Sequence, residues 1–217
     1  VRKDKSDAKP KLFTKFIVAT IAVIFVARVS RTMFTPFVAL FVQERLGTIV
    51  GAATYTGAIN SATGIATAVA AVTLTRLGDK YNKLKLVFLM TGASLVAGAL
   101  LIPGYPIAIF VGVYAIYFFI AGAIEPILTS AASEETDPAI RGSLFGILGT
   151  VNSLAMMVSP MIGAGISTKF SVNAILVLIP IGAVLQLIVL YCNKKNFKHT
   201  IIPENIKKTP LNDMFEN

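Results

Sequence analysis

The sequence contains few of the residues from which disulfides, metal sites and hydrolytic active sites are built. Cysteine and histidine occur once each, as Cys192 and His199, and tryptophan does not occur at all. A single cysteine excludes an internal disulfide and any cysteine-rich metal site. A lone histidine in a polar tail is far more often solvated than catalytic. We therefore expect neither an enzyme nor a bound metal or cofactor.

Charged residues are also scarce, whereas long apolar stretches are abundant. Of the 217 residues, 55% are hydrophobic and only 14% are charged, and the mean hydropathy is +0.74. Soluble domains are typically about 45–50% apolar and about 25% charged. The apolar runs are too long and too uniform for the alternating strands of a membrane barrel. The composition thus predicts an all-α integral membrane protein.

Six apolar runs are long enough to be transmembrane helices, since about 20 apolar residues cross the hydrocarbon core. We place these spans at 14–42, 51–74, 84–102, 107–132, 144–167 and 172–191. They form a six-helix domain over 14–192, between a basic segment at 1–13 and a polar, lysine-bearing tail at 193–217. A signal peptide would have a shorter apolar run, so we interpret the first run as a retained span.

The positive charges lie mainly on one side of these spans. In the predicted topology, 16 of the 20 lysines and arginines fall in, or within two residues of, the two terminal segments and the loops after the second and fourth spans. The opposite loops contain only Arg45 and Lys169. Because lysine and arginine accumulate in cytoplasmic loops, we place both termini on the cytoplasmic side of the plasma membrane. The net charge of +9 therefore reflects topology rather than nucleic-acid binding.

Two arginines interrupt the first apolar run near its middle. Arg28 lies about 20 Å into a helix that starts near residue 14, at about 1.5 Å per residue, and Arg31 shares its face. An arginine facing lipid at this depth costs at least about 3 kcal/mol, so this face should contact protein or water. The pair either lines a polar cavity or forms purely structural ion pairs. Pro36 is expected to loosen the helix beside them.

Glu125, which precedes Pro126, is the only acidic residue well inside a predicted span. Burial in a low-dielectric cavity favours the protonated form of a carboxyl group, which a proton-coupled carrier requires. Alternatively, Glu125 is a counter-ion of Arg28 or Arg31, or extends to the cytoplasmic interface. The other polar candidates for a cavity, each more typical of helix–helix hydrogen bonds, are Asn60, Asn152, Gln186, Tyr114 and Tyr117.

Small residues recur at four-residue spacing in two spans, which would let helix backbones approach closely. The second span has Ala58, Ala62, Ala66 and Ala70, and the fifth has Gly142, Gly146, Ser159, Gly163 and Ser167. We expect helix packing along both rows. Pro180 and Gly182 are expected to loosen the sixth span.

The loop after the second span carries an ordered pattern of charges. It reads Thr75-Arg76-Leu77-Gly78-Asp79-Lys80-Tyr81-Asn82-Lys83-Leu84-Lys85. This order resembles the cytoplasmic loop motif of the major facilitator superfamily, which Asp79, Lys80, Lys83 and Lys85 match. Thr75 and Asn82 stand where that family usually has glycine. The resemblance implies that these charged residues, with Arg141 after the fourth span, form a gating motif.

A second similarity covers the fourth and fifth spans. It runs from Ile124-Glu125-Pro126 through Arg141-Gly142-Ser143-Leu144-Phe145-Gly146 to Ser159-Pro160-Met161-Ile162-Gly163-Ala164-Gly165. These segments resemble helices ten and eleven of drug/proton antiporters, in which Pro160, Gly163 and Gly165 would form a helix-packing motif. Asp137 and Pro138 fit an N-cap and a first-turn proline before the fifth span.

The resemblance covers residues 12–191 and implies the C-terminal six-helix half of a multidrug-efflux carrier of the major facilitator fold. Such carriers bind substrate between two halves. We therefore expect a second half as partner, on another chain, on a preceding part of this chain or as a second copy. Segment 1–13 would be the end of the loop that joins the halves.

The function implied by the resemblance is proton-coupled efflux of small organic compounds or drugs across the lipid bilayer by alternating access. Arg28, Arg31 and Glu125 would face the shared cavity. Two arginines with one acid favour an anionic or zwitterionic substrate, or a carboxylate supplied by the other half. The alternative is a membrane module that does not transport without a separate N-terminal half.

Overall fold

The computed structural model describes residues 13–102 and 104–194, including every side chain in these ranges except those of Asp79 and Lys80. Its helices are α1 (Lys15–Thr32), α2 (Val38–Leu46), α3 (Ala52–Lys80), α4 (Lys83–Ala99), α5 (Ile107–Gly122), α6 (Ile124–Glu135), α7 (Arg141–Lys169) and α8 (Val172–Cys192). Two 3₁₀ turns, Thr35–Phe37 and Pro138–Ile140, precede α2 and α7. The predictions for segments 1–12 and 195–217 lie outside the described residues.

Five parts of the described chain are long and apolar enough to cross a membrane. They are Lys15–Leu46, Ala52–Gly78, Ile107–Glu135, Pro138–Lys169 and Val172–Cys192. The remaining predicted span corresponds to α4, which has 17 residues. That helix is about 25 Å long at about 1.5 Å per residue, shorter than the predicted range 84–102. All six predicted spans are therefore helical, and α4 is the shortest of them.

Prolines divide the first and fourth spans into two helices each. A proline has no N–H with which to bond the carbonyl group four residues earlier. For Pro36 that carbonyl belongs to Thr32, the last residue of α1, and for Pro126 it belongs to Gly122, the last residue of α5. The loosening expected at Pro36 is confirmed. The fourth span, predicted as one helix over 107–132, is instead two helices.

Prolines do not interrupt α7 or α8. Pro160 and Pro180 both lie inside continuous helices, so Pro180 and Gly182 do not break the sixth span, and the loosening expected there stays a prediction. Gly182 instead permits a close approach between α8 and α1. A Cβ atom at Gly182 would overlap Ser30 Oγ and lie 2.6 Å from Ser30 Cβ, well inside van der Waals contact.

The basic loop predicted after the second span is mostly helical. α3 continues to Lys80 and α4 begins at Lys83, so only two residues connect them. One of the two, Asn82, caps α4: its side-chain oxygen accepts from the backbone N–H groups of the second and third residues of that helix, at 3.0 and 3.2 Å. The prediction of a loop over 75–85 is therefore wrong, because helical hydrogen bonding continues through most of the motif.

The turn before α7 has the predicted start signals. Asp137 Oδ1 accepts a hydrogen bond from the Ala139 N–H at 2.9 Å, and Pro138 is the first residue of the 3₁₀ turn. A proline at this position loses no helical hydrogen bond. The predicted N-cap and first-turn proline are thus confirmed.

In the packing motif predicted in α7, Gly163 makes the close contact. A Cβ atom there would lie 2.6 Å from the Phe37 ring and 2.7 Å from the Met33 carbonyl oxygen. Gly165 has open space around it within the described chain, and Pro160 is half-buried. The close approach of α7 to the first span is therefore made at Gly163.

α3 does not pack mainly through its alanine row. Ala58 is exposed, Ala62 and Ala66 are half-buried, and only Ala70 is buried. The described buried residues of α3 recur instead on a different stripe, at Ala52, Ile59, Thr63, Ala70 and Gly78. The expected alanine ridge is therefore wrong for this six-helix domain.

The buried apolar residues form two clusters along the bundle. One cluster contains residues of α1 up to Ile24 and the chain from Ala123 onward into α6. The other contains residues from Met33 onward and the α5 residues up to Ala121. The middle of the first span and the α5–α6 break therefore lie at the boundary between the clusters. The two predicted intramembrane arginines and the predicted acid lie at this level.

Candidate functional site

Three helices bring polar side chains together around one carboxylate. Glu125 Oε2 accepts hydrogen bonds from Arg28 Nη1 and Arg31 Nη2, both at 3.1 Å. Glu125 Oε1 accepts a hydrogen bond from Asn152 Nδ2 at 2.7 Å. Glu125 is thus the counter-ion of both arginines. We call these four residues, Arg28, Arg31, Glu125 and Asn152, the charge cluster.

The local structure places these groups at one depth. Arg28 and Arg31 are three residues apart and share a face of α1. Glu125 lies in the first turn of α6, where the helix dipole favours a negative charge. This helix start exists within the span because α5 ends at Gly122. The proline break therefore creates the position that the acid occupies.

The charge cluster is buried on one side and open on the other. The Arg31 side chain is 8% exposed, whereas those of Arg28 and Glu125 are 25% and 19% exposed. A cavity of about 470 Å³ adjoins Glu125, lined by Glu125, Pro126, Thr129, Ser130, Ser133 and Phe145. Three hydroxyl groups in this lining make the cavity one that water can fill.

Arg28 has donors that the cluster does not use. Its Nη2 atom lies 4.0 Å from Met156 Sδ, a weak acceptor. Its Nε atom is buried and has no hydrogen-bond partner among the described residues, and the same holds for Asn152 Oδ1. Beside Glu125 there are thus a donor and an acceptor that water or a ligand could satisfy.

Tyr114 and Tyr117, predicted as cavity residues, lie in an aromatic core. They are 1% and 3% exposed. The Tyr114 ring stacks on Phe110 with centroids 5.4 Å apart and meets Phe34 edge-on at 5.8 Å. The structure therefore places both tyrosines in packing between α5 and the first span, and not in the wall of an open cavity.

Asn60 and Gln186 are not part of the charge cluster. Asn60 is exposed on α3. Gln186 is 4% exposed on α8, and its Oε1 atom has no hydrogen-bond partner in the part of the chain that the structure describes. Of the polar candidates named from the sequence, the structure brings only Asn152 to the acid and the two arginines.

Lys83 of the predicted gating motif is buried between two helices. Its Nζ atom lies 3.0 Å from Ser130 Oγ and forms an ion pair with Glu134, both on α6. Ser130 also lines the cavity beside Glu125. The Lys83–Glu134 ion pair therefore lies on the same helix as this cavity, near the C-terminal end of the helix. Lys83 thus ties the start of α4 to the end of α6.

Two other residues of the predicted gating motif, Arg141 and Lys85, make fewer side-chain contacts than Lys83. Arg141 Nε donates to the Thr136 carbonyl oxygen at 3.1 Å, which holds the turn before α7. Lys85 is exposed. The side chains of Asp79 and Lys80 lie outside the described residues. A gating role for these residues therefore stays a prediction.

The sequence interpretation missed three contacts. They join Arg28 to Met156, Thr32 to Ser159 (2.9 Å between hydroxyl oxygens) and Lys83 to Glu134. For α7 there was a signal: Asn152, Met156 and Ser159 follow the i, i+4, i+7 spacing of one helix face. On this face, Met156 contacts Arg28 and Ser159 contacts Thr32, both on α1.

The chemistry available at the charge cluster follows from its charges. Two guanidinium groups face one carboxylate, so the cluster has a surplus of one positive charge when Glu125 is ionised. The guanidinium groups can therefore bind a further anion. Neither a nucleophile–base pair nor a pair of catalytic acids is present in the cluster.

Comparison with known proteins agrees with this architecture. Residues 20–212 match the family model described as Major Facilitator Superfamily. The chain is 26% identical over 180 residues to the multidrug resistance protein MdtG of Escherichia coli, which covers 82% of this chain and 42% of MdtG. A crystal structure of a mutant peptide transporter POT in complex with sulfate matches with a TM-score of 0.72 at 15% identity, over 96% of this chain and 44% of that one.

The chain spans less than half the length of these two proteins. The structural match shows that its helices are arranged as in part of a transporter fold. The family model covers nearly all of the chain, and five segments of the described chain are long and apolar enough to span a membrane. The chain belongs to the major facilitator superfamily, a family of multi-pass membrane transporters.

Proposed function

We propose that this chain is the C-terminal half of a carrier that moves small organic compounds across the plasma membrane by proton-coupled alternating access. The charge cluster carries this proposal, because ionisable residues inside membrane spans are costly and usually mark a transport pathway. The cluster adjoins a cavity with hydroxyl groups in its lining. Similarity to a multidrug resistance protein supports efflux of drugs or similar compounds, in exchange for protons.

Glu125 is the proposed proton carrier. Its two oxygen atoms accept three hydrogen bonds, all from α1 and α7. Protonation removes the negative charge that attracts Arg28 and Arg31, and so weakens the link between α6 and α1. Proton uptake is thereby coupled to helix separation, which alternating access requires.

Proton release from inside-out vesicles tests this role. The vesicles hold a proton gradient and a trapped pH dye, and receive benzenesulfonate, benzamide or benzyltrimethylammonium, which differ in charge on a similar ring. We expect at least one compound to release protons when the carrier is present. Glu125→Gln should abolish this release, because glutamine keeps the shape but cannot carry a proton.

Glu135→Gln is the matched control. Glu135 lies on the same helix and is exposed, so this variant should release protons at the unaltered rate. Unchanged release in the Glu125→Gln variant would exclude Glu125 as the proton carrier. If none of the three compounds releases protons even with both halves of the carrier present, proton coupling itself is contradicted.

A second six-helix half is the proposed partner, and α3 and α7 are the helices that it would cover. In an apolar 18-residue stretch of each of the segments Ala52–Gly78 and Pro138–Lys169 only 17% of residues are buried, against 44–50% in the corresponding stretches of the other three. Carriers of this kind bind substrate between two halves. The excess of positive charge on one side supports cytoplasmic termini.

The second candidate function is a membrane module that does not transport by itself. The open side of the charge cluster favours it, because Arg28 and Glu125 are partly exposed in the described chain. Vesicles that contain this chain with and without an added second half separate the two candidates. Proton release under either condition would support the carrier, whereas no release even with the second half present would support a module that does not transport.

A further inference from the structure

One edge of the Arg28 guanidinium group is left without an oxygen acceptor. Nη1 is bonded to Glu125 at 3.1 Å. On the opposite edge, Nε is buried and has no partner within the described chain, and Nη2 faces only Met156 Sδ. The Nε and Nη2 hydrogens point the same way, and a carboxylate can accept both through two parallel bonds. This edge is the part of an arginine best suited to recognise a carboxylate.

The net positive charge of the cluster also favours binding of an anion at this edge. Glu125 compensates one of two guanidinium groups, and both of its oxygens already accept hydrogen bonds. Arg31 is the more buried of the two arginines, at 8% against 25% side-chain exposure. The surplus positive charge is therefore accessible at Arg28. A cation at this position would be repelled, and a neutral group would leave the charge unpaired.

The surface around the edge can accommodate the rest of a ligand. Met156 is 56% exposed, and its unbranched side chain can move aside and then pack on an apolar group. Gly149 lies two turns earlier on the same face of α7, and a Cβ atom there would meet no other part of the described chain within 4 Å. The edge of Arg28 thus lies against an adaptable apolar side chain, and displacement of Met156 would expose the buried Nε atom to a ligand.

We propose that the Nε–Nη2 edge of Arg28 binds the carboxylate of an amphipathic organic anion, whose apolar part packs on Met156. The proposal names a substrate class for the proposed carrier, so its relevance to transport rests on that proposed function. Binding itself is measured on this chain without any transport, so the two can fail separately.

Binding is measured with three ligands on this chain in lipid nanodiscs at pH 7.5. Benzoate, benzamide and benzylammonium share one ring and differ in charge. We expect benzoate to bind more than about tenfold tighter than the other two, since it alone forms two charge-assisted bonds. Equal binding of benzamide, or a preference for benzylammonium, would overturn the proposal.

Lysine substitutions test whether Arg28 is the residue concerned. Arg28→Lys keeps the charge but loses the two-donor edge, and we expect it to remove most of the preference for benzoate. Arg45→Lys is the matched control, because Arg45 lies over the Phe41 ring on α2, away from the cluster, and should keep the preference. A benzoate preference that survives Arg28→Lys would contradict the assignment.

Nitrogen NMR of the unaltered chain gives a direct readout even if Arg28→Lys fails to fold. The chain has six arginines, and lysine substitution at the other five assigns the Arg28 Nε–H signal by elimination. Benzoate should shift this signal downfield while benzamide leaves it in place. If benzoate leaves the Arg28 signal unmoved, the proposed contact does not exist.

Discussion

Glu125 shows how far single residues could be interpreted from the sequence. Glu125 was identified because acidic residues are rare inside membrane spans. In the structure it is the counter-ion of both arginines, which was the alternative role predicted for it. The pairing of both arginines with one oxygen was not predictable, because Arg28 and Glu125 are 97 residues apart. Their meeting depends on how α1 and α6 pack. Asn152 was named from its polarity alone, and only the fold makes it the third donor.

Asn152 should hold the Glu125 carboxylate in place. Asn152→Ala removes the 2.7 Å bond to Oε1 and leaves that oxygen without its only donor in the described chain. We expect a loss of about 1–2 kcal/mol in the free energy of unfolding, in the range of hydrogen bonds between membrane helices. Unfolding in mixed detergent micelles, followed by circular dichroism, measures it.

Ser153→Ala is the control for this experiment. Ser153 is the next residue on α7 and is exposed, so its replacement should leave the unfolding free energy unchanged within about 0.5 kcal/mol. Equal stability of the two variants would show that the Asn152 bond does not contribute to the cluster.

Helix ends and helix contacts were predicted with uneven success. Most outer bounds agree within a few residues, because apolar length and cap residues such as Asp137 are local signals. The break at Pro126 and the continuity of α8 through Pro180 were not predicted. A proline only removes a bond to the carbonyl four residues earlier, and neighbouring helices decide whether the chain then breaks. The role of Gly182 likewise depends on Ser30, a residue of a distant helix.

The α1–α8 contact should depend on the absence of a side chain at Gly182. Gly182→Ala would overlap Ser30 Oγ, so we expect it to cost about 1–3 kcal/mol, as overpacking does. Gly165→Ala is the control, since Gly165 has open space around it within the described chain. There the gain in helix propensity should leave stability unchanged or raise it by up to about 1 kcal/mol.

A double substitution shows whether the cost at Gly182 comes from this contact. Gly182→Ala combined with Ser30→Gly removes the overlapping side chain and should recover part of the lost stability. The same unfolding titration measures all four variants. If the double variant loses as much stability as the sum of the two single variants, overlap with Ser30 is not the cause of the loss at Gly182.

At the scale of the whole molecule, the sequence predicted six helices and the family but not which surfaces stay open. The low burial of α3 and α7 could not be predicted, because their apolar composition suits lipid, a partner or a core equally well. Only the three-dimensional arrangement shows that most of the alanine row of α3 is not fully buried in the described chain. The charge cluster is likewise open on one side.

Spin labels can distinguish a partner from lipid on these two helices. Cys192→Ser removes the only cysteine, and single cysteines are then placed at Ile65 on α3, Met157 on α7 and Ile188 on α8, all of which are exposed in the structure. In membranes that contain a second half, we expect labels at Ile65 and Met157 to be immobile and shielded from oxygen. The label at Ile188 should stay accessible to oxygen, as for a lipid-facing site.

The same labels report what happens when this chain is alone. If the partner is a separate half, labels on α3 and α7 should become as accessible to oxygen as the label on α8. If the partner is a second copy, they should stay shielded, and pairs of identical labels should show a short distance between copies. Oxygen accessibility equal to that of Ile188 under both conditions would mean that lipid covers α3 and α7. In that case no second half packs on these faces, and the proposed site between two halves could not form.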